Sequence, residues 1–285
     1  MTVREIQTKF HTLPLLDIDV LLAGATQKPK EFLYSSPKYK LSWIESIRFN
    51  FYISKYRRGY SVAAILKHKE FLGLDFFVNK HVLIPRPDTE IMAEEAIRLI
   101  RHELEAKKTD IIYIDVGTGS GCIPISVSHA TPQLARIFAI DISTKALTVA
   151  KKNARKYNAP IQFFHGNLLE PLLKKQALLG TPCFVVITAN LPYLSEAQFK
   201  SEPSIQREPK IALVAEHNGL AAYNSLLSQI RTLPPACQLF VLLEIDPSQS
   251  VAIIELIQHY LPYASIEIKK DLSGFDRLVI IKLQG

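Results

Sequence analysis

The stretch IIYIDVGTGSGC at residues 111–122 decides the fold of this chain. A mainly apolar run, residues 111–116, leads into a loop in which glycine occupies every second position, residues 117–121. An apolar run of this length predicts a buried strand, and the glycines permit a tight turn that brings the backbone close to a ligand. A helical pattern starts near Ile123, so the free N–H groups of its first turn lie beside the loop. The stretch therefore predicts a strand, a ligand-binding loop and a helix in succession.

Strand and helix patterns alternate along the rest of the chain. Helical patterns cover 144–157 and 220–230, between apolar runs of strand length. Such alternation is typical of a mostly parallel sheet with helices on both faces. The expected fold class is α/β, a Rossmann-like seven-stranded domain with a small helical domain before it. The predicted strands are residues 111–116, 136–140, 161–164, 184–188, 238–244, 265–269 and 277–283.

The chain before the glycine loop divides into three parts. Residues 1–72 have apolar positions at three- and four-residue spacing, which predicts a small bundle of helices. Residues 73–88 are rich in aromatic and β-branched side chains around Asn79-Lys80, which predicts a hairpin linker that turns there. The larger domain is expected to span 89–285.

Composition describes an ordinary globular protein of 285 residues, 48% hydrophobic and with a net charge of +7. Its apolar runs are far shorter than the roughly 20 residues that span a bilayer, and no apolar signal core stands near its start. We therefore expect a cytoplasmic protein without a membrane segment. The cysteines Cys122, Cys183 and Cys237 are far apart and form no Cys/His cluster, so neither a disulfide framework nor a metal site is predicted.

Two aspartates suit a nucleoside that carries positive charge. Asp115 stands just before the glycine loop, where a carboxylate can pair with an ammonium group. Asp141 ends the next apolar strand, where a carboxylate can accept both hydroxyls of a ribose. The glycine spacing is G-x-G-x-G and not the G-x-G-x-x-G of nicotinamide-binding proteins. An alternative for Asp141 is that it only caps the helix that begins near Ser143.

A second motif, Asn190-Leu191-Pro192-Tyr193, follows the predicted strand 184–188. The lone pair of an amide nitrogen or an exocyclic base amine is delocalised, so a catalyst must localise it. The Asn190 side-chain oxygen and the Leu191 carbonyl can accept the two N–H groups of such a nitrogen and align it with a methyl donor. Pro192 stiffens the turn, and Tyr193 offers a flat face to the planar group.

Together these residues resemble the HemK/PrmC family, the glutamine-N5 methyltransferases that modify the GGQ glutamine of peptide chain release factors. The resemblance covers nearly the whole chain. It includes the basic turn at 57–59, the segment IPRPDTE at 84–90, the two motifs above and Arg207-Glu208-Pro209. The segment at 84–90 is its most specific part, because other amino-methyltransferases that share the later motifs lack it.

The resemblance implies S-adenosyl-L-methionine as methyl donor, a release factor as protein substrate and residues 1–72 as its recognition domain. It also implies a monomer that works near the ribosome. The donor-binding residues that we expect are Asp115, Gly117, Thr118, Gly119, Ser120, Gly121, Asp141, Asn167, Leu168 and Asn190. The substrate-binding residues expected are Pro85, Arg86, Glu90, Asn190 and Tyr193, with Asn190, Leu191, Pro192 and Tyr193 as the catalytic motif.

The chain departs from the family pattern at three places. Leu191 stands where the first proline of N-P-P-Y is usual, which keeps the backbone acceptor but removes stiffness. Asn167 and Leu168 replace an aspartate and an aromatic residue at the adenine position, so a hydrogen bond can persist while stacking is lost. Asp246 replaces a glycine.

Two other hypotheses stay open from the sequence. A nucleic-acid methyltransferase acting on adenine N6 or cytosine N4 would use the same acceptor chemistry, and N-L-P-Y occurs in adenine dimethyltransferases of ribosomal RNA. Against it, no basic stripe interleaved with aromatics stands near the motifs. A non-catalytic adaptor that keeps a nucleoside pocket is the third reading.

Overall fold

The computed structural model describes residues 1–106, 110–175, 179–180, 184–216, 219–233 and 238–284. The chain divides into two compact units, Met1–His68 and Lys69–Gly285. The first unit thus ends slightly before the expected residue 72, because the residues that follow His68 pair in a hairpin.

The first unit is helical, as the spacing of its apolar residues predicts. Capping boxes at Thr2 and Ser42 start its first and fourth helices, because each hydroxyl accepts a backbone N–H that the helix leaves unpaired. Phe49 and Ile53 lie in its core, whereas Trp43 is largely exposed. Its helices are α1 (Val3–Lys9), α2 (Leu15–Thr26), α3 (Lys30–Ser35), α4 (Trp43–Arg57) and α5 (Val62–Leu66).

The hairpin pairs β1 (His68–Phe71) with β2 (Leu74–Phe77). Its turn is Leu72-Gly73, and both residues have positive φ, 47° and 72°. A turn does form at 79–82, where the Val82 N–H donates to the Asn79 carbonyl at 3.3 Å, but it follows the hairpin and does not close it as predicted. The Asn79 side chain instead accepts the N–H of His81, so it shapes the loop that follows the hairpin.

Seven strands of the described residues form one sheet, which confirms the expected Rossmann-like α/β class. The order across the sheet is β5-β4-β3-β6-β7-β9-β8, with β3 to β7 parallel and β9 antiparallel to both its neighbours. The strands are β3 (Ile111–Val116), β4 (Arg136–Asp141), β5 (Ile161–His165), β6 (Phe184–Ala189), β7 (Gln238–Glu244), β8 (Ser265–Lys270) and β9 (Asp276–Gln284).

Helices cover both faces of this sheet. Successive side chains of a strand point to opposite faces, so Ile112 and Ile114 join one apolar core while Ile111 and Tyr113 join another. The first core includes residues of α9 (Glu170–Leu173), α11 (Ala221–Ile230) and α12 (Ser250–Tyr260). The second includes residues of α6 (Glu90–Glu105), α7 (Cys122–Ala130) and α8 (Thr144–Lys156). The short helix α10 (Glu196–Ser201) and the 3-10 turns Pro87–Thr89, Lys210–Ala212 and Pro247–Gln249 complete the described helical segments.

The order of the strands reverses between β3 and β6. These strands pair in parallel, with Val116 opposite Ala189, so the loops after them leave the same edge of the sheet side by side. Ligands of open α/β sheets bind in the crevice at such a reversal. Among the described residues, no helix is long and apolar enough to cross a bilayer.

Candidate active site

The loop after β3 is shaped by its glycines. Gly117 has φ +75° and Gly121 φ +79°, a conformation that strains other residues. A Cβ on Gly117 would lie 3.1 Å from Leu191 Cδ2, and one on Gly121 would lie 3.0 Å from Ile125 Cδ1. The Gly117 and Thr118 N–H groups donate to the carbonyl of Ile140 at 2.9 and 3.0 Å. The loop is therefore fixed to β4 and passes directly against the loop after β6.

The two loops line one cavity of about 250 Å³ at this edge of the sheet. Its wall also takes in the end of β4, residues 166–168, and the segment before α6. The predicted site residues that line it are Pro85, Arg86, Gly117, Thr118, Gly119, Ser120, Asp141, Asn167, Leu168, Asn190, Leu191 and Pro192. The predicted residues outside its lining are Asp115, Gly121, Tyr193 and Glu90.

Asp141 is held rigidly at the cavity wall. One carboxylate oxygen accepts the N–H of Gly119 and the other the N–H of Ser143, both at 2.8 Å. Burial raises the pKa of this carboxyl. Ser143 itself caps α8, because its hydroxyl accepts the N–H of Ala146. The N-cap of α8 is therefore Ser143, and each oxygen of Asp141 keeps a lone pair that a ligand hydroxyl can use.

Asp115 is buried beneath the cavity, with 1% of its surface exposed. Its Oδ1 accepts the hydroxyl of Thr188 at 2.7 Å, and that hydroxyl also contacts the Tyr113 hydroxyl at 2.6 Å. Its Oδ2 has no hydrogen-bond partner within the described ranges. Burial raises the pKa of Asp115 to about 6. An unpaired buried carboxylate oxygen is costly, and a cationic ligand would supply its missing partner.

The adenine position predicted from the sequence lies on the cavity wall. Leu168 has a positive φ of 50°, which is unusual for a leucine and aims the chain back toward α9. The amide of Asn167 donates to Glu170 at 3.1 Å. Both residues are thus fixed by local structure and present an edge of mixed polarity to the cavity.

The side-chain nitrogen of Asn190 is hydrogen-bonded within the protein. Nδ2 donates to Glu244 Oε2 at 2.9 Å and to Thr89 Oγ1 at 3.2 Å. A carboxylate accepts and cannot donate, so this contact determines which end of the amide is nitrogen. Thr89 precedes α6 without capping it, and its hydroxyl serves this contact instead. The amide oxygen of Asn190 is the end left for an incoming group.

The Leu191 carbonyl also has a hydrogen-bond partner in the protein interior. Tyr223 is fully buried, and its hydroxyl donates to the carbonyl of Glu244 and also lies 3.3 Å from that of Leu191, so its one hydrogen is shared between them. A carbonyl has two lone pairs, so Leu191 can accept a second N–H. Tyr193 lies outside the cavity lining, and its hydroxyl is 3.5 Å from Glu244 Oε1.

Glu244 is the functional candidate that the sequence did not reveal. It ends β7, is 2% exposed, and contacts both Asn190 and Tyr193. Burial raises its pKa to about 7. An acidic residue that ends an apolar strand was the signal that identified Asp141, and the same signal applied to Glu244.

The predicted substrate residues divide into two groups. Pro85 and Arg86 line the cavity, and Arg86 Nη2 pairs with Glu208 Oε1 at 2.5 Å. Glu208 also accepts the N–H of Ile84 at 2.9 Å, so it fastens this segment to the wall. Glu90 does not line the cavity, contrary to its expected substrate role. Its carboxylate accepts the N–H of Leu72 at 3.0 Å and so stabilises the hairpin turn.

No group of His, Cys, Asp and Glu in the part of the chain that the structure describes is arranged to hold a metal ion. Cys122 is a free buried thiol. Cys183 and Cys237 lie outside the described residues.

Comparison with known proteins gives matches at the level of domain, whole chain and fold. Residues 93–219 match the family model "Methyltransferase small domain". The release factor glutamine methyltransferase of Enterococcus faecalis is 40% identical over 78% of this chain and 75% of its own length. The Bacillus subtilis enzyme of that name is 33% identical over 92% and 88%. The N-terminal domain of human METTL16, solved with SAH, shares the fold with a TM-score of 0.53 at 17% identity, over 92% of this chain and 93% of that one.

Proposed function

The chain belongs to the family of release factor glutamine methyltransferases, and we propose that it carries out their reaction in the cavity between the loops after β3 and β6. The enzyme transfers a methyl group from S-adenosyl-L-methionine to the side-chain nitrogen of the GGQ glutamine in peptide chain release factors. One observation carries the assignment to this cavity. Asn190 lines it with its side-chain nitrogen bonded to Glu244 and Thr89, and the next residue, Leu191, packs against Gly117 of the loop after β3.

The residues present fit the donor. Asp115 Oδ2, buried and without a partner in the described chain, is suited to the ammonium of its amino-acid part. Asp141 has two fixed oxygens for the ribose hydroxyls, and Asn167 and Leu168 would meet the adenine. When bound, S-adenosylmethionine supplies an electrophilic methyl group on a cationic sulfur. The loop residues that would surround it are Gly117, Thr118, Gly119, Ser120 and Gly121.

The acceptor amide is positioned by two oxygens. One N–H of the glutamine side chain donates to Asn190 Oδ1 and the other to the Leu191 carbonyl, which keeps the nitrogen facing the donor. The donor would give up its methyl group to this nitrogen, and its sulfur would keep the electrons of the carbon–sulfur bond that breaks. The nitrogen gains positive charge, which the two acceptors stabilise, and it then releases one proton to water.

The rest of the motif shapes the entry. Pro192 lies on the cavity wall and restricts the turn that carries the Leu191 carbonyl. Tyr193, expected to face the planar amide, instead packs against the apolar core with its hydroxyl 3.5 Å from Glu244, so it would support the turn from within. Pro85 and Arg86 also line the cavity, where they would meet the chain on either side of the substrate glutamine.

We further propose that the enzyme is a cytoplasmic monomer that meets its substrate near the ribosome, with the helical unit Met1–His68 contributing to recognition. Its net charge of +7 favours approach to polyanionic ribosomal RNA. Light scattering should give a mass near 32.1 kDa. Co-sedimentation with ribosomes that weakens as salt is raised would support the proposed proximity to the ribosome. Failure to co-sediment at any salt concentration would exclude it.

The substrate class is tested with labelled donor. The full chain is incubated with a release factor, with the same factor carrying alanine for the GGQ glutamine, and with ribosomal RNA and DNA. Label in the unaltered factor alone is the expected result. Label in nucleic acid would support the alternative methyltransferase, and label nowhere would support the adaptor.

Asn190→Ala tests the site. We expect the rate at saturating donor to fall roughly 10²–10³-fold, since one charge-stabilising contact is lost, while S-adenosylhomocysteine still binds. The matched control is Asn224→Ala on the exposed face of α11, which should be unchanged. Full activity of the Asn190 variant would exclude the mechanism.

A further inference from the structure

The chemistry at Asn190 depends on which end of its side chain faces the substrate. The oxygen and nitrogen of a primary amide have similar shape, so packing alone distinguishes them poorly. Turned about, Asn190 would present N–H groups to the N–H groups of the acceptor glutamine and would repel it. Something in the protein must therefore fix the amide.

Two contacts from distant parts of the chain do so. Glu244 Oε2, at the end of β7, and Thr89 Oγ1, just before α6, both accept from Asn190 Nδ2. They lie 54 and 101 residues from Asn190 in sequence, so only the folded sheet brings the three together. Glu244 and Thr89 are buried, and Thr89 belongs to the segment that lines the cavity.

Glu244 is itself held from several sides. Its main-chain carbonyl accepts the Tyr223 hydroxyl, and its other carboxylate oxygen lies 3.5 Å from the Tyr193 hydroxyl. Arg277 donates to the carbonyl of Ile245, the next residue, and lies 3.7 Å from Asp88. A buried carboxyl so placed costs free energy, and a structural role alone would be served by a neutral side chain.

We propose that Glu244 and Thr89 are positioning residues for methyl transfer, which hold the Asn190 amide with its oxygen toward the acceptor glutamine. Negative charge on Glu244 also draws the N–H groups of Asn190 and makes its oxygen a stronger acceptor for the positive charge that develops on the substrate nitrogen. This inference rests on the proposed function and adds two residues that act through Asn190.

The charge on Glu244 gives the proposal a signature in pH. Burial raises the pKa of Glu244 to about 7, so its carboxylate forms within the range of an ordinary assay. Arg277 favours the ionised form and Asp88 opposes it. The other titratable groups whose pKa values respond to Glu244 are Tyr193, Tyr223 and Cys122.

The experiment measures kcat and KM for release factor at saturating donor, across pH, in the full chain. Saturation with donor keeps the titration of Asp115 out of the profile. The wild-type kcat should rise as the pH passes through about 7. Glu244→Gln keeps an acceptor oxygen but no charge, so its kcat should lack that rise and match the acid limit of the wild type, roughly tenfold below its plateau.

Further variants separate position from charge. Glu244→Ala removes both the acceptor oxygen and the charge. It should lower kcat roughly 100-fold, with S-adenosylhomocysteine affinity unchanged. Thr89→Val should lower kcat, and Thr89→Ser, which restores the hydroxyl, should recover most of it. Glu255→Gln on the exposed face of α12 is the matched control and should retain the wild-type profile.

The outcomes are distinguishable. If the wild type does not methylate a release factor, the proposed function fails. If the wild type is active and Glu244→Gln keeps the same plateau and the same rise, the positioning role is refuted. If Glu244→Ala loses affinity for S-adenosylhomocysteine by as large a factor as it loses kcat, Glu244 only supports the fold. That result would also overturn the inference.

Discussion

Replacing Glu244 by glutamine should stabilise the fold above neutral pH even as it slows methyl transfer. The carboxyl is 2% exposed, and burial raises its pKa from 4.5 to about 7. A carboxyl with a higher pKa in the folded chain than in the unfolded chain binds its proton more tightly when folded. The stability that this contributes is complete below the unfolded pKa and is lost as the pH rises through about 7.

The size of the effect follows from the same values. A pKa that rises from 4.5 to about 7 corresponds, at about 1.4 kcal/mol per pH unit, to about 3 kcal/mol at most. Glutamine does not ionise, and its oxygen can still accept the Asn190 N–H. Between about pH 5 and about pH 8, the free energy of unfolding of the variant should therefore rise relative to the wild type by up to about 3 kcal/mol. For a unit of this size, that corresponds to roughly 6–12 °C in melting temperature.

The assay is far-UV circular dichroism on both proteins at several pH values. Tryptophan fluorescence would follow the wrong unit, since the one tryptophan, Trp43, lies in Met1–His68. Asp115 is present in both proteins, so its titration cancels in the difference. Glu255→Gln removes a carboxyl from the exposed face of α12 and is the matched control. A difference for Glu244→Gln that stays the same across pH would refute the reasoning, because it would mean that this carboxyl has an ordinary pKa in the fold.

Two further predictions concern the donor. Asp141→Ala should weaken S-adenosylhomocysteine binding by roughly 10–100-fold, since hydrogen bonds to a charged group are worth about 1.5–3 kcal/mol, with kcat at saturating donor changed far less; calorimetry that finds equal affinity would remove Asp141 from the donor site. Because burial raises the pKa of Asp115 to about 6, its carboxylate should be lost as the pH falls through that value, and donor affinity with it. Asp115→Asn should bind weakly at every pH, and a wild-type affinity that is constant on both sides of pH 6 would contradict the assigned ion pair.

Local patterns sufficed for the sheet and for the convergence of its two loops. Apolar runs mark strands because both faces of a parallel sheet are covered, and the carboxyl ends of parallel strands share one edge, so the loops that carry Gly117 and Asn190 leave the sheet side by side. The hairpin turn was misplaced because Asn79 favours turns, whereas the positive φ of Leu72 is a conformation that a leucine rarely adopts. In the fold, Glu90 accepts the Leu72 N–H and selects the other turn.

The supporting residues of the site could not be predicted in the same way. Glu244 and Thr89 matter because they meet Asn190 across long stretches of chain, and no periodicity or spacing encodes such a meeting. The Tyr223 hydroxyl meets the carbonyls of Leu191 and Glu244 across similar separations, and nothing in the sequence connects them.

The supporting contacts also bear on Leu191, which stands where the family pattern has proline. Proline would stiffen the turn covalently, so leucine was expected to loosen the carbonyl that holds the acceptor. Leu191 is instead 4% exposed and packs over Gly117, whose missing Cβ would lie 3.1 Å from its Cδ2. Its carbonyl is held by the Tyr223 hydroxyl at 3.3 Å. Packing against Gly117 and the contact with Tyr223 thus restrain the turn where the family pattern has a proline ring, and a side chain at position 117 or loss of the Tyr223 hydroxyl should weaken that restraint.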